Sequence, residues 1–283
     1  FLKEKPKNTI FFNQKSLLIL LIIQLFRTKK QKFYYHNFDF DLPNNFEKIK
    51  DRLLFNLEIY ATSFCNGLIF PSKKRSEIFA KITKNKKVKF NYLMNCFPLN
   101  YKPKINFQFK RFLKKKKLLK KKNVCRLGSI GPNHYIEELI DSFKYLNSNF
   151  ILILAGVSNG NYATTLKKKI FRLNLNKNIY IFENIKNKFW FDVLNNSHLG
   201  ICFYKDVSIS HRNMAGTSQK FNNYLLANLP MITNNNLDFQ NFKKYFDIYE
   251  TVNPGRSREI AKKIKYIFRN NSRVNQIKKN MKN

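Results

Sequence analysis

Lys220 and Asn223 stand three residues apart in Thr217-Ser218-Gln219-Lys220-Phe221-Asn222-Asn223-Tyr224, a segment that reads as a helix start capped by Ser218 or Thr217. This spacing puts both side chains on one helical face near the N-terminus, where backbone amides and the positive end of the dipole reinforce the ammonium group. Such a face can hold a diphosphate and a ribose. A second candidate is Gly128-Ser129-Ile130-Gly131, between a predicted strand and a predicted helix. There, glycines let the backbone approach a phosphate and the helix start supplies amide donors. The same turn serves equally well as a ligand-free connection, and Gly156, after the next strand, allows the same two readings. His36, in Tyr34-Tyr35-His36-Asn37-Phe38-Asp39, lies at a predicted strand end. A neutral imidazole can contact a hydroxyl or exchange a proton near physiological pH, or it can simply cap the strand. His198 reads as a satisfied residue at a strand edge, and Lys73, Lys74 and Arg75 as a solvated helix start.

The elements that must position these residues follow an α/β rhythm. Early in the chain, a helical run over 13–31 leads into a strand at 32–35, and an amphipathic run over 46–63 into a strand at 67–70. A helix capped by Ser72 and a strand over 88–92 follow. Between 98 and 123, prolines and the runs Lys114 to Lys117 and Lys120 to Lys122 break the apolar period, which places a basic linker at 106–122. Strands at 124–127, 150–155, 179–182, 199–203 and 229–233 then alternate with helices at 135–146, 163–173, 187–195 and 218–226. The spacing predicts a parallel sheet covered on both faces, with ligands at the carboxyl ends of its strands. Two Rossmann-like domains are expected, 1–105 and 123–283, the first incomplete because Phe1 already reads as the middle of a domain. No final helix is evident after Lys278.

The chain has 283 residues, 43% of them hydrophobic, enough to fill two cores. Its formal charge is +37, carried by 43 Lys and only 11 Arg. A reader of nucleic acid favours Arg, whose planar fork pairs bidentately with bases and phosphates. Lys, Asn, Ile, Phe and Tyr share codons rich in A and T, so biased base composition accounts for the charge more simply than a selected polyanion. Attraction to anionic membranes follows from the charge whatever its origin. The cysteines, 31, 29 and 77 residues apart, match no disulfide or zinc spacing and read as reduced core residues. The apolar run from Ser16 to Phe26 is short of the roughly 20 residues that cross a bilayer and reads as a buried helix of a cytoplasmic protein.

The segment from Thr217 to Ile232 resembles the donor-site signature of family 4 and related retaining glycosyltransferases of the two-Rossmann (GT-B) kind, roughly Pro-x-Lys-x-x-Glu-Tyr-x-x-x-Gly-x-Pro-Val-Ile. Lys220, Tyr224, Pro230 and Ile232 match in register, Asn223 stands at the glutamate position and Asn228 at the glycine. The resemblance extends over about 123–270, with Arg126-Leu127-Gly128-Ser129 similar to the family's first strand and turn, and Leu152 to Gly156 to its second. More weakly, His36 to Asp39 resembles a His-x-x-Asp strand end, and Glu58 stands where the family often has Glu, although a solvated helix residue explains it equally well. The resemblance implies transfer of a sugar from a nucleoside-diphosphate sugar to an acceptor hydroxyl, with retention. A donor would be bound by Gly128, Ser129, Gly131, Gly156, Ser218, Lys220 and Asn223, and His36 would act catalytically. No cofactor or metal is implied, since Asp39-Phe40-Asp41 matches a metal motif only in its letters and falls in the wrong domain. Implied partners are a glycan or lipid-linked acceptor for surface polysaccharide or lipopolysaccharide, with peripheral association at the inner membrane face. A degenerate, non-catalytic relative and, more remotely, a nucleic-acid binder are the alternative classes.

Overall fold

A computed structural model describes residues 6–26, 31–38, 49–84, 89–98, 101–103, 105–158, 160–185 and 187–282. Asp39, Phe40 and Asp41 lie outside them. The chain divides into two compact units, one formed by 1–95 with 207–217, the other by 96–206 with 218–283.

The first unit holds a four-stranded, wholly parallel sheet in the order β1 (Asn8–Phe12), β2 (Lys32–His36), β3 (Gly67–Phe70), β4 (Lys89–Tyr92). Helices α1 (Asn13–Ile23), α2 (Ile49–Thr62) and α3 (Lys73–Thr83) connect successive strands, as parallel pairing demands. The core gathers Leu17, Leu20, Phe33, Tyr35, Ala61, Leu68, Phe70 and Phe79. Ser72 caps α3 by accepting from the Arg75 amide at 3.2 Å. The run expected to be a buried helix is buried on one face only: Leu17, Leu20 and Ile23 point inward, while Ile19, Ile22 and Leu25 are exposed. Among the described residues no helix is long and apolar enough to cross a membrane.

In the second unit, α4 (Gln108–Lys115) precedes the strands β5 (Lys122–Leu127), β6 (Phe150–Gly156), β7 (Ile179–Glu183), β8 (Leu199–Cys202), β9 (Met231–Asn234) and β10 (Glu250–Val252). Between and after them run α5 (Ile136–Ser142), α6 (Tyr162–Arg172), α7 (Asn187–Asn195), α9 (Gln219–Leu226), α10 (Leu237–Tyr245), α11 (Ser257–Arg269) and α12 (Asn271–Asn280), while α8 (Ile209–Arg212), between β8 and α9 in the chain, belongs to the first unit. The spatial order is β10-β9-β8-β5-β6-β7, all parallel. This is the doubly wound dinucleotide-fold order, in which strand succession reverses between β5 and β8. Opposite crossovers on either side of that reversal leave a crevice at the carboxyl ends of these two strands.

Segment 106–122, read from sequence as a linker, contains α4. Phe109 and Leu113 of α4 are buried, and the buried Asp192 of α7 accepts from the Phe109 amide at 2.6 Å. Lysines dominate its remaining face, which is why the apolar signal of this helix is hard to see. Segment 207–217 contains α8 and packs with the first unit.

The β5 and β6 ends are packed backbone to backbone. A Cβ placed on Gly156 would lie 1.8 Å from the Gly128 carbonyl oxygen, whereas one on Gly255 would meet nothing nearer than the Asn253 side chain at 3.4 Å. Gly156→Ala is therefore expected to lower stability by about 2 kcal/mol or more and Gly255→Ala by less than about 0.5, measured as denaturant midpoints of the full chain.

Candidate functional site

Arg126 is the fifth residue of β5 and directs its side chain along the carboxyl edge of the sheet. Its Nη1 donates to the Gly128 carbonyl at 3.0 Å, while Nε and Nη2 are buried without a hydrogen-bond partner. Gly128, at φ +101°, turns the chain out of β5 in a backbone region that L side chains avoid. Ser129 is exposed, and Gly131 precedes the short 3-10 turn that leads towards α5.

Across the strand reversal, Tyr204 follows β8. Asn234, at the end of β9, fixes it from both sides: its Oδ1 accepts from the Tyr204 amide at 2.9 Å and its Nδ2 donates to the Tyr204 carbonyl at 2.7 Å. The Tyr204 hydroxyl is hydrogen-bonded to Ser218 Oγ, which also accepts from the Phe221 amide at 3.3 Å and so caps α9. Lys220, only 7% exposed, follows in the first turn of that helix. Its ammonium lies 4.3 Å from the centre of the Tyr204 ring and has no hydrogen-bond acceptor. Burial, helped by the neighbouring Arg126 guanidinium, pushes the Lys220 pKa down to about 7. Burial also lowers the pKa of Arg126. One turn further along α9, Asn223 is 1% exposed, with Oδ1 unpartnered.

The rest of the signature shapes the backbone. Tyr224 OH accepts from the Leu127 amide and donates to the Ile201 carbonyl, both at 3.1 Å, tying β5 to β8; Gly200 leaves room for its ring, since a Cβ there would come within 2.8 Å. Asn228 adopts φ +49° as the chain leaves α9. The glycine of the signature thus falls at a left-handed turn, a conformation that Asn tolerates better than other side chains. His198 Nδ1 accepts from the Asn123 amide at 3.1 Å, in keeping with a satisfied residue at a strand edge.

In the first unit, His36 ends β2 and is 6% exposed. Its ring lies against Phe38 (centroids 4.1 Å apart) and Phe12 (5.6 Å), Nε2 has no hydrogen-bond partner, and burial lowers its pKa, so the imidazole is neutral at pH 7. Glu58 is not solvated. It is 3% exposed, and its Oε1 accepts from Tyr35 OH at 2.5 Å and Asn37 Nδ2 at 2.7 Å, its Oε2 from Gln14 Nε2 at 3.0 Å.

Arg75 also departs from the sequence reading. It is 2% exposed, and its guanidinium donates to the carbonyls of Phe38 (2.6 Å), Ser210 (2.8 Å) and Asn213 (3.2 Å), so one side chain holds both the strand end after His36 and α8. Lys73 and Lys74 are exposed as expected. Arg126, Tyr204 and Arg75 were not marked as functional candidates. Arg126 alone carried a signal, being a cation between the apolar Cys125 and Leu127 of its strand.

The structure thus gathers Lys220 and Asn223 on α9, with Arg126 beside Lys220, and brings Gly128 against Gly156. His36 belongs to the other unit. No family model and no curated protein matches this chain. Solved structures do. HepE of Anabaena in complex with UDP is similar with a TM-score of 0.75 at 15% identity, over 96% of this chain and 72% of that one. The same protein in complex with UDP-glucose is similar at 0.75 and 16%, with the same coverage. The sucrose-phosphate synthase of Thermosynechococcus elongatus matches at 0.73 and 11%, over 97% of this chain and 67% of that one. At these identities the likeness establishes architecture, and the chain has the two-Rossmann GT-B fold.

Proposed function

We propose that this chain is a glycosyltransferase that moves a sugar from a nucleoside-diphosphate sugar, of the UDP class, to an acceptor hydroxyl. The observation that carries this reading is the pair of adjacent buried cations, Arg126 and Lys220, with unpartnered N–H groups and, among the described residues, no carboxylate paired with either. Two like charges taken out of water destabilise the fold unless an anion completes them. The crevice at which they meet is where a doubly wound sheet binds nucleotides. The UDP and UDP-glucose complexes of the similar HepE support the choice of donor.

In this reading, the donor diphosphate lies against the turn from Gly128 to Gly131, the start of α9 at Ser218, and the Arg126–Lys220 pair. The close approach of Gly156 to Gly128 keeps the turn open to it. Negative charge grows on the diphosphate as the glycosidic bond breaks, and fixed donors already aimed at it stabilise the leaving group without reorganising. The protein supplies this positive charge, so the reading needs no metal or cofactor. Asn223 Oδ1 accepts from a ribose hydroxyl, more weakly than a carboxylate would. His36, neutral and with Nε2 free, contacts the transferred sugar or the acceptor hydroxyl, and transfer proceeds with retention. A glycan or lipid-linked acceptor of surface polysaccharide or lipopolysaccharide synthesis, on the cytoplasmic side, completes the proposal. Exposed Lys110, Arg111, Lys114 to Lys117 and Lys120 offer anionic lipid a contiguous basic stretch.

Titration calorimetry of nucleoside diphosphates into the full chain tests the donor site. UDP is expected to bind, with affinity reduced about tenfold or more by Arg126→Met or Lys220→Met and about fivefold by Asn223→Ala. A folded chain that binds no nucleoside diphosphate would overturn the proposal. UDP binding without sugar transfer from UDP-glucose would point instead to the non-catalytic relative, which the neutral Asn223 favours.

A pH dependence follows from Lys220. Its pKa in the empty site is lowered to about 7, and a bound diphosphate favours the charged form. Affinity for UDP-glucose is therefore full below that pH and falls as pH rises through it, by at most about tenfold per unit. Calorimetry between about pH 6 and 8.5 should show this fall in the parent chain and a weak, flat profile in Lys220→Met. A flat profile in the parent would exclude Lys220 as the titrating contact.

A further inference from the structure

Glu58 is an expensive residue to keep where it is. It is buried in the first unit, and among the described residues no cation pairs with it. Its three partners, the Tyr35 hydroxyl and the Asn37 and Gln14 amides, all donate to it. The arrangement suits an ionised carboxylate, although burial raises its pKa. An apolar side chain of similar size would avoid the desolvation cost of this charge.

The geometry of β2 explains what that cost secures. Side chains alternate along a strand, so Tyr35 and Asn37 point to one face of the sheet and His36 to the other. Both flanking residues converge on the same Glu58 oxygen and on each other, with Asn37 Nδ2 at 2.9 Å from the Tyr35 hydroxyl. The backbone on the far side of His36 is pinned as well: the Asn37 amide donates to the Ile69 carbonyl at 3.0 Å, and the Phe38 carbonyl accepts from Arg75 at 2.6 Å. A strand end held at residues 35, 37 and 38 cannot rotate about its axis, and the imidazole between those anchors is fixed in direction. Gln14, on α1, ties the same carboxylate to the helix that follows β1, whose Phe12 packs against the His36 ring.

We infer that Glu58 is the positioning residue for His36, holding Tyr35 and Asn37 from behind the sheet so that the imidazole presents an unpartnered Nε2 at the carboxyl end of β2. The inference rests on the reading of His36 as the residue that meets the sugar or the acceptor hydroxyl. Glu58 does not touch substrate; it removes the freedom that would otherwise let Nε2 find an acceptor within the protein or turn away from the reacting hydroxyl.

The test uses the full chain with three variants. Tyr35→Phe removes the link to the carboxylate and leaves the charge in place, Glu58→Leu removes the carboxylate, and Glu58→Gln keeps a carbonyl acceptor for Tyr35 and Asn37. Positioning predicts that Tyr35→Phe and Glu58→Leu lower kcat about tenfold or more while KM for the donor changes by less than about twofold, and that Glu58→Gln recovers activity to within about threefold of the parent. The second readout is the His36 imidazole titration followed by NMR, which needs no activity. It should rise towards the ordinary histidine value in Tyr35→Phe, as the ring gains solvent, and stay low in Glu58→Gln. An unmoved His36 titration in a folded Tyr35→Phe chain, or a kcat equal to the parent's in Glu58→Leu, overturns the inference. Should the parent transfer no sugar, the reading of the reaction fails, and the titration alone still decides whether Glu58 and Tyr35 hold the imidazole.

Discussion

Parallel strands cannot be joined by tight turns, and from that constraint most of this molecule follows. Each strand must be followed by a crossover that returns the chain to the same end of the sheet, so every carboxyl end in a sheet opens on one edge. In the second unit, β5 sits beside β8 rather than between its sequence neighbours, and the crossovers diverge there. Arg126 approaches this gap from β5, Tyr204 from the end of β8, and Lys220 from the helix after the 207–217 excursion. No local sequence rule brings these residues together. In the first unit, the same rule puts His36 on the open edge of its sheet.

How much of this could be read from sequence depended on whether the signal was local. The strand at 67–70 and the helix at 187–195 carry their own periodicity and lie where expected. The helix carrying Lys220 and Asn223 was legible because its spacing is helical, and Asn228 in place of glycine makes sense once its left-handed turn is known. Other elements were obscured by their composition. The strand Asn8–Phe12 is a short, partly exposed edge strand, and α4 has its two buried positions set among lysines. Glu58 and Arg75 could not be placed from sequence at all, because a charged residue on a helix looks solvated until its distant partners are known. The distant partners of these two side chains lie 21 to 44 and 37 to 139 residues away, respectively.

Gross charge is a poor guide to which cations matter in this chain. Most of the +37 is Lys, strongly hydrated and interchangeable on the surface, and it tracks composition. Three buried cations are different, and they divide by how they are satisfied. Arg75 spends its guanidinium on three backbone carbonyls. Its planar fork suits that task, and the result is architectural, because the partners are part of the chain. Arg126 makes a single hydrogen bond to the Gly128 carbonyl and keeps two nitrogens unpartnered. Lys220 has only the face of Tyr204.

That difference has an energetic consequence. A buried donor left without an acceptor costs roughly 1–3 kcal/mol, and more when charged, so a fold selected for stability alone would replace these two side chains with apolar ones or provide a carboxylate. Neither is seen among the described residues, where Tyr204 lies against Lys220 and Tyr204, Tyr224 and Tyr162 lie near Arg126. Glu58 in the first unit is the counterpart: a buried carboxyl group, supplied with three donors and therefore held still. The unsatisfied pair leaves positive charge waiting at the strand ends, whereas the satisfied carboxylate serves as a fixed point behind the sheet. An incoming diphosphate would relieve the strain in the first case and leave the second untouched, so ligand binding should stabilise the second unit through Arg126 and Lys220 rather than through any rearrangement of its core.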